Sequence, residues 1–151
     1  MQPPNDWDPA NHPAYLLGRA ARLFARAADD RLAKLGVSSA HVPVIRLLND
    51  GKARSQAELA ELVKVEQPTM AQLLARMERD GLIKRAPNPD DGRSSLFSLT
   101  PRAQSKVRAV RDVLVKGSDE MFDGFSAGQI AMLATLLEQA IENLEAAASK
   151  R

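Results

Sequence analysis

The chain has no cysteine among its 151 residues. That excludes disulfides, thiol redox sensing, thiolate nucleophiles and cysteine-held zinc together. Histidine is nearly absent too, with only His12 and His41, so acid–base catalysis or histidine-based metal binding has little to draw on. Neither a phosphate-cradling glycine loop nor a nucleophile–base pair is visible, and no cofactor and no enzymatic activity are expected. Aromatic residues number six, one Trp, one Tyr and four Phe, too few for a surface that recognises proteins through aromatic anchors. No run approaches the ~18 apolar residues of a membrane span. The first 13 residues lack the basic and apolar regions of a signal peptide. The expected location is the cytoplasm.

What is present is 44% hydrophobic and 26% charged, the composition of a globular domain large enough to bury roughly 70% of its unfolded surface. The net charge is only +2 despite a pI near 9.1. Between Gly51 and Thr100 there are 8 Lys/Arg against 7 Asp/Glu, and between Pro101 and Arg111 there are 4 against 0. Charge by itself is therefore a weak pointer to nucleic acid.

Four of the nine prolines fall in residues 1–13, which reads as an arm with Trp7 as its one large anchor. From Ala14 to Leu35 the apolar positions Leu16, Ala20, Leu23, Ala27 and Leu35 predict a long amphipathic helix, closed by Gly36 in a left-handed cap. Ser38 and Ser39 cap the next helix, with His41, Val44, Ile45 and Leu48 on its inner face. The capping box Ser55–Glu58 starts a short helix burying Leu59, Leu62 and Val63. A second helix runs from Glu66 to Asp80, with Pro68 in its first turn and Met70, Leu73, Leu74 and Met77 inward. Residues 82–86 and 95–99 read as strands around a turn-rich tip. Thr100–Pro101 opens a helix that breaks near Gly117 or between Met121 and Phe125. Ser126–Gln129 caps a last helix with a near-heptad seam of Ile130, Leu133, Leu137, Ile141 and Leu144.

On the helix from Glu66 to Asp80, Thr69, Gln72 and Arg76 fall in one outward stripe about 60° wide. Glutamine can pair bidentately with adenine and arginine with guanine, and a helix so equipped, braced by another across a tight turn, has helix-turn-helix geometry. The same stripe is also what an ordinary solvated face looks like. Arg93, at the return of the strand pair, is placed to enter a narrow minor groove, with Asp91 to hold it. Taken alone, that pair is a surface ion pair worth ~0–1 kcal/mol.

The run ELAELVKVEQPTMAQLLARMERDGLIKR, followed by NPDDGRSSLFSLT, closely resembles the MarR (multiple antibiotic resistance regulator) family of winged helix-turn-helix repressors, and the resemblance extends from about Ala14 to Leu144. It implies a mainly α fold with a small β wing: an arm (1–13), dimerisation helices (14–36 and 101–147) and a winged helix-turn-helix DNA-binding domain (37–100). It implies a homodimer on a palindromic double-stranded operator. DNA contacts would come from Ser55, Lys64, Gln67, Pro68, Thr69, Gln72 and Arg76, with Arg93 in the minor groove and Asp91 as its brace. The turn between the two helices often carries glycine in this family, and Lys64 stands there instead. A lysine takes the left-handed conformation at a cost of roughly 1 kcal/mol, which a phosphate contact would offset.

The family commonly releases DNA on binding a small anionic or phenolic compound, a shift of population between head spacings. Tyr15, Arg19 and His41 are the pocket residues this implies. Each has a plainer reading: Tyr15 as the start of a core face, Arg19 as a solvated or dimer-paired cation, His41 as a satisfied core histidine. The alternative function is a winged-helix protein–protein module that reads no DNA.

Overall fold

The structure, a computed structural model, describes residues 10–150. The chain divides into two units, residues 1–117 and 118–151, and each is taken by itself. The expected arm lies mostly on residues 1–9, Trp7 included, outside the described residues. His12 is described, and it caps the first helix, its Nδ1 accepting the Ala14 N–H at 3.3 Å.

Helix α1 spans Pro13–Leu32. A 3-10 turn at Ala33–Leu35 then ends on Gly36, whose φ of 69° is the left-handed cap its lack of a Cβ permits. Much of the apolar stripe of α1 is uncovered within the protomer. Leu16 and Leu23 are 44% and 55% exposed, while Ala28 and Leu32 are the buried residues of α1. Spacing identifies the stripe, but it does not say whether its own chain or another covers it.

A 3-10 turn at Ser39–His41 leads into α2 (Val42–Leu48). His41, Val44, Ile45 and Leu48 are all buried, as their spacing requires. The Asp29 carboxylate, from α1, accepts both the Ser39 N–H at 2.5 Å and the Ser39 hydroxyl at 3.1 Å, joining α1 to the start of α2.

Strand β1 is only Arg54–Ser55, too short to show alternation in the sequence, and Ser55 doubles as the cap of α3 (Gln56–Val63). Within α3 the buried residues are Leu59 and Ala60. Leu62 departs from expectation at 53% exposed, because the eight-residue helix turns one narrow face inward and Ala60 occupies it. Helix α4 (Gln67–Arg79) buries Met70, Leu73, Leu74 and Met77. Strands β2 (Ile83–Pro87) and β3 (Ser95–Leu99) pair antiparallel, with β1 on the other side of β3, giving the order β1-β3-β2. Phe97 on the central strand lies opposite Arg54 on one side and Arg85 on the other.

Thr100 ties the end of the sheet to the next helix. Its hydroxyl donates to the Gly81 carbonyl at 2.7 Å and accepts the Ala103 N–H at 3.2 Å, capping α5 (Pro101–Gln104). Of the two places expected for a break, Gly117 carries none and the stretch from Met121 to Phe125 does, since α6 (Val107–Met121) runs through Gly117 and ends at Met121; a further interruption falls at Ser105–Lys106. A Cβ on Gly117 would meet the Phe24 ring at 3.3 Å, so glycine serves close approach here rather than interruption. At the Ser105–Lys106 interruption Lys106 donates its ammonium to the Leu35 carbonyl at 2.6 Å.

In the second unit the Phe122 and Phe125 rings meet edge-to-face at 5.7 Å. Ser126 and Gln129 form the expected capping box for α7 (Ala127–Ala148). Of its seam, Ile141 and Leu144 are 54% and 70% exposed.

Candidate nucleic-acid interface

The interface is built on α3, α4 and the wing. The capping box at Ser55 sets where α3 begins: the Ser55 hydroxyl accepts the Glu58 N–H at 3.2 Å and the Ser55 N–H donates to the Glu58 carboxylate at 2.7 Å. The bond from the Ser55 N–H holds the Glu58 carboxyl below its ordinary range.

Helix α3 ends on Lys64, whose φ is 61° and ψ 47°, the one positive-φ residue other than glycine among those described. Its N–H donates to the Glu61 carbonyl at 3.2 Å, and the Val65 N–H to that of Ala60 at 3.0 Å, so the chain turns and Glu66 caps α4. The lysine therefore takes the strained conformation expected of its position in the turn. We expect Lys64→Gly to raise stability by ~0.5–1 kcal/mol in urea unfolding, the relief of strain exceeding glycine's extra unfolded entropy.

Thr69, Gln72 and Arg76 are all exposed on α4, opposite the buried Met70, Leu73, Leu74 and Met77. Pro68 sits in the first turn and is exposed as well. Gln67 is tied down: the Gln56 side-chain amide donates to its Oε1 at 3.0 Å, which fixes the start of α4 to the start of α3.

The wing tip is held by its own backbone. Asn88 Nδ2 donates to the Ser94 hydroxyl at 2.8 Å, the Asp90 N–H to Asn88 Oδ1 at 3.0 Å and the Ser94 N–H to the Asp91 carbonyl at 3.0 Å. Asp91 acts differently from the expected ion pair. Its carboxylate accepts the Arg93 backbone N–H at 3.0 Å, a local turn bond that shapes the tip while the Arg93 side chain stays exposed. A groove of about 510 Å³ lies between the starts of α3 and α4 and the wing, with Ser55, Gln56, Gln67, Arg85, Asp91 and Arg93 in its walls.

Two arginines to which the sequence pattern does not point, Arg85 and Arg54, also belong to this face of the sheet's surroundings. Arg85 lies over the Phe97 ring, 5.2 Å from its centroid. Arg54 makes a two-pronged pair with Asp50, at 2.8 and 2.5 Å, and donates to the Leu47 carbonyl at 2.6 Å. That bonding holds the Asp50 carboxyl far below the usual carboxylate range. An i, i+4 Asp–Arg spacing after a helix end is the available signal for Arg54. For Arg85 only the cross-strand register, invisible in sequence, supplies one.

The three pocket residues are placed unevenly. Tyr15 and Arg19 are exposed on α1. His41 is 8% exposed and accepts the Ser38 N–H on Nδ1 at 3.2 Å. Burial lowers its pKa, with Asp80 opposing, Arg76 adding to the shift and Asp29 opposing. The neutral ring is thus the form that fits. Because the folded-state value lies below the ordinary 6.5, the unfolded chain takes up this proton first. Stability from neutral His41 is complete above pH ~6.5 and is lost as pH falls through the folded-state pKa. We expect urea unfolding to show stability declining from pH 7 toward 5.5, and His41→Gln to flatten that decline.

Residues 35–94 match the family model of the MarR family. The chain is similar in fold to a mutant MarR from E. coli solved in complex with operator DNA (TM-score 0.78, 21% identity, 84% of this chain and 91% of that chain). It is similar also to the PcaV transcriptional regulator from Streptomyces coelicolor in complex with its natural ligand (TM-score 0.80, 22% identity, 89% and 95% covered). A third similar structure is a probable transcriptional regulator from Pseudomonas aeruginosa (TM-score 0.79, 21% identity, 87% and 98% covered). At these identities the likeness is one of fold.

Proposed function

We propose that this chain, whose residues 35–94 match the MarR family model, is a homodimeric DNA-binding transcriptional regulator, a repressor of palindromic operators released by a small anionic or phenolic ligand. The observation that carries the reading is the exposed Thr69–Gln72–Arg76 stripe on a helix fixed to its neighbour through Gln56 and Gln67, beside a wing that presents Arg93. Helix α4 enters the major groove and reads base edges through Gln72 and Arg76, with Gln67, Pro68 and Thr69 at its leading end. Ser55 and Lys64 meet phosphates. Arg93 enters the flanking minor groove, its position set by the turn that Asp91 shapes.

Helices α1 and α7 are the dimerisation elements. Each leaves large apolar side chains exposed: Tyr15, Leu16, Leu17 and Leu23 on the first, Met132, Leu136, Ile141 and Leu144 on the second. Apolar patches of this kind mark surfaces that another chain covers. The effector binds near Tyr15 and Arg19, whose hydroxyl and guanidinium suit a carboxylate. His41 contributes by positioning α2 rather than by contact. No helix among the described residues is long and apolar enough to cross a membrane, and the working compartment is the cytoplasm.

Fluorescence anisotropy with the palindrome upstream of the protein's own gene tests this reading. Binding at moderate salt well above that to random duplex is expected, with half-sites about one helical turn, ~10 bp, apart. Equal binding to random DNA would replace it with the protein–protein module, which the polar α4 stripe disfavours.

A further inference from the structure

Arginines flank Phe97 on both sides of the sheet, yet they are used in opposite ways. Arg54 lies opposite Phe97 from β1, and its charge is neutralised by Asp50 while a second contact goes to the Leu47 carbonyl. Arg85 lies opposite Phe97 from β2. Its guanidinium carbon is 5.2 Å from the ring centroid, and among the described residues no carboxylate pairs with it. Phe97 is itself 2% exposed, so the ring is a fixed platform. A cation held on an aromatic face keeps its full charge and its hydrogen-bonding edge while losing much of its freedom. That edge belongs to the groove between α3, α4 and the wing. The one carboxylate in the groove wall, Asp91, already accepts the Arg93 N–H.

We infer that Arg85 is a further DNA contact in each head, a guanidinium aimed by the Phe97 ring at a phosphodiester between the major groove entered by α4 and the minor groove entered by the wing. The inference rests on the DNA-binding reading above. Arg85 stands on the body of β2, eight residues before Arg93, away from the tip that enters a groove, and the planar fork matches phosphate oxygens in pairs. It therefore contributes affinity and register without reading sequence.

The test measures binding of wild type, Arg85→Gln and Arg85→Lys to the operator palindrome and to mutated palindromes across a salt series. Two phosphates lost per dimer make the log K against log salt slope of Arg85→Gln shallower by about 1.8. Affinity falls by a similar factor on every palindrome, so the ranking of base pairs is unchanged. Arg85→Lys keeps the slope and binds more weakly than wild type, since lysine retains the charge without the stacked fork. Single methylphosphonates placed along the operator give a second readout. One position weakens wild type and leaves Arg85→Gln unaffected.

Melting temperatures of the variants are compared with wild type, and the methylphosphonate scan on wild type alone stands if a variant unfolds: no sensitive phosphate between the two grooves overturns the inference. An unchanged slope in a folded Arg85→Gln overturns it too, as does a loss confined to one base-pair identity. Wild type that prefers no palindrome over random duplex overturns the DNA-binding reading itself, a result distinct from these.

Discussion

Arg93→Ala binds the operator roughly 10²–10⁴-fold more weakly than wild type, and most of the loss falls on operators with A·T-rich flanks. A hydrogen bond to a charged group contributes about 1.5–3 kcal/mol, and the dimer carries Arg93 twice. Narrow A·T minor grooves concentrate negative potential, so replacing the flanks with G·C pairs weakens wild type while leaving Arg93→Ala nearly unchanged. Anisotropy titrations on the two flank types measure both effects. Asp91→Ala gives a smaller loss with the same flank dependence. Its carboxylate orders the tip through the Arg93 N–H, and without it the arginine must be ordered on binding. A loss for Arg93→Ala equal on both flanks would place this side chain on a phosphate instead.

A Leu16→Glu/Leu23→Glu chain is a monomer, and its operator affinity falls by about 1000-fold. Both leucines are about half exposed in the protomer, so the charges leave the protomer's own core of Leu32, Val44, Leu59 and Met77 untouched. What they remove is the second head. Linking two heads raises affinity over either one by roughly 10²–10⁴ through effective concentration, and a single head with a nearly neutral sequence has few phosphate contacts to fall back on. Light scattering after size exclusion reads the mass, and circular dichroism confirms that the helices persist. Leu136→Glu on α7 is expected to act in the same direction. A dimeric double variant with wild-type affinity would remove α1 from the interface.

The helices that sequence describes well are those with one face inside their own protomer. For α2 and α4 every residue expected inward is buried, because the period of about 3.6 and the solvent boundary coincide. For α1 the period is equally clear, but apolar spacing is the same whichever chain covers it, and Leu16 and Leu23 stay about half exposed in the protomer. The expectation for Leu62 fails because on a short helix the inward arc takes Leu59 and Ala60, with Val63 partly buried against the same core. The interruption at Ser105–Lys106 carries no proline or glycine to announce it, while of the two breaks expected further on Gly117 has none and the stretch from Met121 to Phe125 has one. Within the interface, Thr69, Gln72 and Arg76 can be placed on one face from spacing alone. The Gln56–Gln67 bond and the Arg85–Phe97 stacking cannot, because they join residues that only the turn at Lys64 and the strand register bring together.

Ser55 belongs at once to the sheet and to the helix-turn-helix. It pairs with Leu96 on β3, caps α3, and is followed by Gln56, which is bonded to the first residue of α4. Wing and α4 are thereby linked through one short stretch of chain. On the proposed function, an effector that acts on a dimer would find its leverage in the distance between the two heads rather than in tilting wing against α4. Induction would then change how strongly the dimer holds an operator and how far apart the half-sites must be, while the order in which half-site sequences are ranked would stay the same with and without the effector.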